Sequence, residues 1–415
     1  MNKKRFNNQL LQFLDNSPTP YHALEQMKKS LHVKGFKELH ESENWMLQKG
    51  EKYFVTRNDS SIIAFTYPKE RKKYLMMGAH TDSPNLKIKP NPLIKKEGLI
   101  QLAVEPYGGV LINPWFDRDL SIAGKVIVSD EKNNLHEHLI DFKDPIAIIS
   151  SLAIHLDKTA NKERSVNMQN DIAPILTSRA DFDFEQMILK ELRLPASKLI
   201  SYDLSFYDTQ KASFVGIEKE FIACARLDNL LSCFVNLQTL LHVKRDDAVL
   251  MVCSDHEEVG SESTTGAAGP FLEQVLRRIE SSEESYIQML RESLLVSCDN
   301  AHAAHPNFAD KHEPNHKPQM NQGVVIKINS NQRYASNVLS MSRFIQASAD
   351  IKIQKYVTRS DMGCGSTIGP ITATRLGIET IDVGLPTLAM HSIRELAGSD
   401  DAHELYEILM RLSRG

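Results

Sequence analysis

The sequence predicts an α/β fold: a mixed-sheet domain interrupted by an inserted, β-rich second domain. Three observations lead there. Short apolar runs end abruptly at polar, chemically loaded segments; amphipathic helical stretches lie between them; and one long internal stretch has a different texture. At 415 residues the chain is also longer than one ordinary compact core, so two domains are expected.

Taken in order, the first element is an amphipathic helix. Phe6, Leu10, Leu11, Phe13 and Leu14 are interspersed with polar residues and the pattern stops before Pro18, unlike the continuous apolar core of a secretory signal. Four β-rich runs follow. Tyr74–Met77 leads into Gly78-Ala79-His80-Thr81-Asp82, and Ala248–Val252 into Asp255-His256-Glu257-Glu258. Leu294–Val296 leads into Cys298-Asp299-Asn300, and Glu379–Val383 into Gly384-Leu385-Pro386 and then His391. In open α/β sheets, ligand sites gather beyond the carboxyl ends of the strands, which is where these polar segments fall. Between the runs, Leu230, Leu231, Phe234, Val235, Leu237, Leu240 and Leu241 form a helical stripe that puts Asp228 at a helix start.

The inserted domain is expected over 91–214, leaving 1–90 and 215–415 as one discontinuous domain. Leu99–Val104, Val110–Ile112 and Leu120–Val128 read as strands, with turns at Tyr107-Gly108-Gly109 and Ser129–Asn133, and Asp181–Leu194 as partly helical.

Composition narrows the function. Hydrophobic residues make up 41% and charged residues 25%, the balance of a soluble globular protein. A net charge of −4 argues against nucleic acid or an anionic membrane as the main partner. No apolar run approaches the roughly 20 residues that span a bilayer. The five cysteines are odd in number and lack CxxC spacing, so they read as buried thiols in a reducing compartment, the cytoplasm by default. The basic runs Lys69–Lys73 and Lys95-Lys96 read as solvated surface. Gly363–Gly369 lacks the lysine and spacing of a phosphate loop, and nothing marks a base for Cys364. His302, His305, His312 and His316 lie among Pro306, Pro314 and Pro318 with no cysteine, which favours a lining role near Asp299 over a separate structural zinc.

The strand-end segments supply His80, Asp228, Glu258, Asp299 and His391. Two zinc ions about 3.5–4 Å apart can share a water and need about five such ligands, one a bridging carboxylate. Three carboxylates and a hydroxide balance two Zn²⁺ ions, so the site need not bury net charge. Asp82, two residues beyond His80, is placed to accept the other ring N–H. With Glu258 on metal, its neighbour Glu257 can face the shared water as general base. Read singly, each has a blander explanation: a helix cap, a chance HxD triplet, two exposed glutamates.

Together, the blocks resemble the aspartyl aminopeptidase family of metallopeptidases. They are His80-Thr81-Asp82-Ser83-Pro84, Arg226-Leu227-Asp228-Asn229 and Glu257-Glu258-Val259-Gly260-Ser261-Glu262-Ser263, followed by Asp299 with Ala301-His302-Ala303-Ala304-His305-Pro306-Asn307, and Ala389-Met390-His391-Ser392-Ile393-Arg394-Glu395. The resemblance implies two zinc ions, replaceable by manganese or cobalt, on His80, Asp228, Glu258, Asp299 and His391, with Asp228 bridging and Glu257 as base. It implies peptide substrates with an acidic first residue, an inserted dimerisation domain, and a tetrahedral dodecamer. It further implies that the glycine-rich turn 363–369 lies along the active-site cleft.

Two more residues take roles from the resemblance. His155, in the apolar stretch Leu152–Leu156, reads by itself as a core histidine on a helix; the resemblance implies that it reaches a neighbouring subunit's active site, or else binds metal. Lys327, in Val325-Ile326-Lys327-Ile328, alternates with apolar residues as in a half-buried strand and reads by itself as solvent-facing. The resemblance implies that its ammonium pairs with the substrate's acidic side chain. The competing readings are a broad-specificity dinuclear aminopeptidase, a deacylase of related fold, and an inactive peptidase-fold scaffold.

Overall fold

The computed structural model describes residues 1–70, 73–244 and 246–414; Arg71 and Lys72 of the basic run lie outside the described residues. The chain divides into two compact units. One contains Met1–Asp82, Ala212–Met390 and Glu395–Gly415; the other contains Ser83–Lys211 and His391–Arg394.

Among the described residues, the first unit is built on a nine-stranded sheet. Its order is Lys37–Leu39, Glu51–Arg57, Ser61–Tyr67, Val249–Ser254, Leu75–His80, Leu294–Cys298, Glu379–Gly384, Val324–Ile328, Ile353–Val357. The four strands from Val249–Ser254 to Glu379–Gly384 are the four apolar runs of the sequence, and they are parallel neighbours. Register aligns their starts, with Leu75 opposite both Val249 and Leu294, and Leu294 opposite Glu379. Their carboxyl ends therefore open on one edge, which carries the polar segments. Antiparallel neighbours Ser61–Tyr67 and Val324–Ile328 make the sheet mixed.

Strands Leu75–His80, Val249–Ser254 and Leu294–Cys298 are buried at every position, as expected for parallel strands covered on both faces. One cover is the helix Leu227–His242, whose described interior is almost wholly buried. The N-terminal helix Lys3–Asp15, capped by the Asn2 side chain, packs Phe6 and Phe13 on Phe234 of that helix at ring-centroid distances of 5.1 and 5.6 Å. Fully burying such a side chain is worth roughly 1.5–3 kcal/mol, so this packing fixes the helix whose first turn carries Asp228. A smaller five-stranded sheet runs Ser213–Val215, Phe221–Cys224, Glu395–Gly398, Pro386–Leu388, Ala301–His302.

The second unit holds an antiparallel sheet in the order Leu135–Asp141, Leu120–Ser129, Lys198–Asp208, Asn85–Lys96, Leu99–Tyr107, Ile175–Thr177. Leu86, Leu102, Val104, Trp115, Ile122, Val126, Phe206 and Ile393 form its core. Helix Phe184–Glu191 is capped by Asp183 and packs on Lys198–Asp208.

Three local expectations change. A boundary at residue 91 would cut the strand Asn85–Lys96, and the unit instead begins at Ser83. Val110–Ile112 is not a strand; Leu111 makes a single bridge to Ser392 before the short turn Asn113–Trp115. The stretch Leu152–Leu156 is a turn and not a helix, with Leu152, Ile154 and Leu156 at 60%, 47% and 75% exposure. Five residues are too few to nucleate a helix without a packed face to hold them. Among the described residues no helix is long and apolar enough to cross a membrane.

Candidate metal centre and active site

His80 ends its strand and is buried. Its Nδ1 lies 3.0 Å from the Asp82 main-chain oxygen and 3.4 Å from Asp82 Oδ1. The expected Asp82 contact is thus made first through its carbonyl. With Nδ1–H donating there, Nε2 is the ring's acceptor, the form that ligates a cation. Nε2 faces Asp228 Oδ1 and Asp299 Oδ1 at 3.5 Å each and Glu257 Oε2 at 3.9 Å. Behind the ring, the Cys233 thiol donates to the His80 carbonyl at 3.0 Å.

Asp228 follows Arg226, a non-glycine residue at φ +62°, and is buried at the start of its helix. Its N–H donates to Glu395 Oε2 at 3.0 Å, and the next residue, Asn229, donates to the Cys298 carbonyl at 2.9 Å. His256, also at φ +62°, turns the chain after strand Val249–Ser254 into the short helical turn Glu257–Val259. The N–H groups of Glu257 and Glu258 each donate to one oxygen of Asp82 at 3.1 Å. Asp82 is therefore a clamp across the strand ends, a role that no local pattern announces.

Asp299 follows strand Leu294–Cys298 and is buried. Lys327 Nζ lies 3.1 Å from its Oδ2 and 2.9 Å from the Asn300 carbonyl, and is itself buried. Lys327 is thus not solvent-facing: its ammonium has two hydrogen-bond partners in the protein, and the Tyr334 ring lies 5.2 Å away.

One imidazole or carboxylate atom from each of His80, Asp228 and Asp299 falls within 4.8 Å of the others, as does one from each of His80, Glu257 and Glu258. Asp228 and Glu258 also bring oxygens within that distance. Two ligands about 2.0–2.2 Å from a tetrahedral zinc lie roughly 3.4 Å apart, close to the 3.5 Å separations around His80 Nε2. An oxygen- and nitrogen-only donor set suits zinc or manganese. The residues fit the ion.

The electrostatics agree. Burial alone would lower the His80 pKa, but Glu257, Asp228, Asp299 and Asp82 raise it well above its ordinary value. Burial pushes Glu257 up to about 7, aided by Asp299, Asp228 and Asp82 and opposed by His80. Burial opposes ionisation of Asp299, yet Lys327 and His80 hold its carboxyl well below the usual range. Carboxylates that crowd one another so closely favour a cation among them.

His391 belongs to the second unit, at φ +67°. Its Nδ1 is 3.0 Å from the Gly109 carbonyl, which again makes Nε2 the acceptor. A Cβ at Gly109 would sit 3.1 Å from that Nδ1, so the close approach favours glycine. His155, in the same unit, is exposed on its turn. In the first unit, His302 packs edge-on to Tyr356, His305 against Phe308, and His316 bonds Glu313. Cys224, Cys233, Cys253 and Cys298 are buried cysteines outside any disulfide, and Cys364 is half-buried.

A mixed α/β sheet with a histidine and several acidic residues converging at its parallel strand ends defines a metal-dependent hydrolase. The comparisons make that specific. The family model described as aminopeptidase I zinc metalloprotease (M18) matches residues 13–411. A probable M18 family aminopeptidase 2 of Pseudomonas syringae pv. syringae (strain B728a) is 50% identical over 419 residues, covering 98% of this chain and 97% of that one. The same figures hold for one from Stutzerimonas stutzeri (strain A1501). A chain in the cryo-EM structure of the Ape4 and Nbr1 complex superposes with TM-score 0.93 at 36% identity, over 99% of this chain and 85% of that chain. The S. cerevisiae mApe1 dodecamer gives 0.86 at 28%, over 98% and 95%. The chain belongs to the M18 family of zinc metallo-aminopeptidases.

Proposed function

We propose that this aminopeptidase removes acidic N-terminal residues, and that His80, Asp228, Glu258, Asp299 and His391 would hold two zinc ions, with Asp228 as the carboxylate they would share. The convergence of His80, Asp228 and Asp299 within 4.8 Å, beside the turn that carries Glu257 and Glu258, is the observation that carries it. His391 is assigned from the family resemblance and from the tautomer set by Gly109.

When bound, the metal pair supplies Lewis-acid polarisation of the scissile carbonyl and acidifies a water molecule. Glu257 takes that water's proton and returns it to the departing amine; its half-buried position and its Asp82-held backbone fix where the proton moves. Asp82 keeps His80 and the glutamate turn in register. His155, on an exposed turn rich in apolar side chains, acts on a neighbouring subunit's substrate within an oligomer. The dodecamer described for mApe1 is the assembly proposed here, and the cytoplasm the location.

Lys327 carries the acidic preference. Two of its three N–H donors are committed to Asp299 and Asn300, and the third is assigned to the substrate carboxylate. That same commitment, with the deep burial of the ammonium, favours the second reading, a broad-specificity aminopeptidase. Initial rates on otherwise identical peptides beginning with Asp, Glu or Leu separate the two. The proposal expects Asp and Glu to exceed Leu by at least about tenfold in kcat/KM, the discrimination of one charge pair. Equal rates establish the broad reading.

A further inference from the structure

Glu257 and Glu258 stand on a loop whose two limbs meet where His256 faces Ser263 and Thr265. The loop leaves strand Val249–Ser254 at Asp255, and its backbone is left-handed at His256, Gly260 and Ser261, with φ of +62°, +99° and +63°. Two of those three residues are not glycine, and such a conformation persists only where the surrounding contacts over-determine it. Asp82 holds the outgoing limb from one side, through the N–H groups of Glu257 and Glu258.

On the other side, contacts converge on the His256 ring. Asp255 Oδ1 accepts the His256 N–H at 2.8 Å, and its Oδ2 stands 3.5 Å from Nε2. A carboxylate there makes Nε2 the protonated nitrogen and Nδ1 the acceptor. Nδ1 is 2.8 Å from Ser263 Oγ and 3.2 Å from Thr265 Oγ1. Ser263 Oγ accepts the Gly266 N–H at 2.9 Å, which leaves its own hydrogen for Nδ1. The returning limb is anchored in turn. Ser61 Oγ donates to the Thr265 carbonyl and accepts the Asp255 N–H, both at 2.8 Å. Arg57 Nη1 donates to the Thr264 carbonyl at 3.1 Å, with its guanidinium 4.5 Å from the Phe271 ring. A path of contacts thus runs from the paired strands Glu51–Arg57 and Ser61–Tyr67, through Thr265 and Ser263, to His256 and the adjoining Glu257.

We propose that His256 is a positioning residue, whose ring clasps the two limbs of the loop together and so fixes where Glu257 and Glu258 stand. It acts through those neighbours, and the proposal rests on the assignment of Glu257 as base and Glu258 as metal ligand. His256→Ala removes the clasp. His256→Asn keeps half of it: asparagine tolerates the left-handed backbone, and its amide oxygen falls near the place of Nδ1, so the Ser263 hydroxyl keeps an acceptor. Ser263→Ala removes the other partner and leaves the His256 backbone untouched.

The test is steady-state kinetics and amide hydrogen exchange on wild type and these three variants. His256→Ala is expected to lower kcat about tenfold with KM within about twofold of wild type, the signature of a displaced catalytic group with substrate binding retained. His256→Asn is expected to recover kcat to within about threefold of wild type, and Ser263→Ala to lower it about threefold. Unchanged kcat in His256→Ala, or an asparagine variant no better than alanine, overturns the proposal. Should His256→Ala fail to fold, Ser263→Ala decides, and an unchanged kcat there overturns it. Exchange over residues 256–266, read on the protein as purified, is expected to quicken about fivefold to tenfold in His256→Ala, with the rest of the chain unaffected. Full turnover in Glu257→Ala would remove the assignment on which the proposal rests, whatever the exchange shows. Wild-type exchange rates in His256→Ala, beside an inactive Glu257→Ala, would overturn the clasp alone.

Discussion

Two buried acidic sites in the same unit differ in what faces them. Asp401, 1% exposed in the first turn of helix Asp401–Leu412, accepts N–H groups from Asn321 at 2.8 Å and Gly323 at 3.4 Å. Its hydrogen-bond partners are main-chain donors, and a helix N-terminus favours a carboxylate. At the strand ends, by contrast, Asp228, Glu257, Glu258 and Asp299 turn toward one another and toward His80. Burial alone does not mark a site, since Asp401 is as deep as any of them. Acids that converge need a cation, and acids met by amides do not.

That contrast can be broken by mutation. The largest effect belongs to the group assigned to proton transfer: Glu257→Ala should lower kcat by about 10²–10⁴-fold while zinc content stays at the wild-type level. Turnover near wild type would remove Glu257 from the chemistry. Next, Asp82→Ala frees the glutamate turn and the His80 ring together and should cost about 10–100-fold in zinc affinity. An unaltered affinity would mean that the strand ends hold their geometry without the clamp.

The smallest effect sharpens the other side. Burial first, then Glu404 and Asp400, raise Asp401 to about 7, against the stabilising N–H groups. A carboxyl with a raised folded pKa binds its proton more tightly in the folded state. Its contribution to stability is therefore full below the unfolded value near 3.8 and is lost as pH rises to about 7. Asp401→Asn should flatten the fall in thermal midpoint between pH 5 and pH 8 relative to wild type. Parallel falls in the two proteins would show that Asp401 does not ionise in that window.

Much of the site was legible because its chemistry is local. Each apolar run stops within a few residues of an acid or histidine, and the four runs are parallel neighbours whose ends share an edge. What escaped was set by contacts between distant residues. The Asp82 clamp joins residues 175 positions apart, and Glu395 holds the Asp228 backbone across 167. No window of sequence contains either pair. The depth at which Lys327 is buried escaped for a related reason. Its alternation suggests a strand with one open face, but the face that Lys327 shares with Val325 is covered by a small core of Ala301, Val325, Tyr334 and Tyr356. At Leu152–Leu156 the apolar pattern was real and its inference wrong, because those side chains are exposed.

The most direct test is the metal content of purified protein, measured by mass spectrometry for wild type and for Asp228→Ala. Two zinc ions per wild-type chain are expected, with both lost or weakened in the variant, because the proposed shared carboxylate would serve both. Zinc contents that match in the two proteins would contradict it.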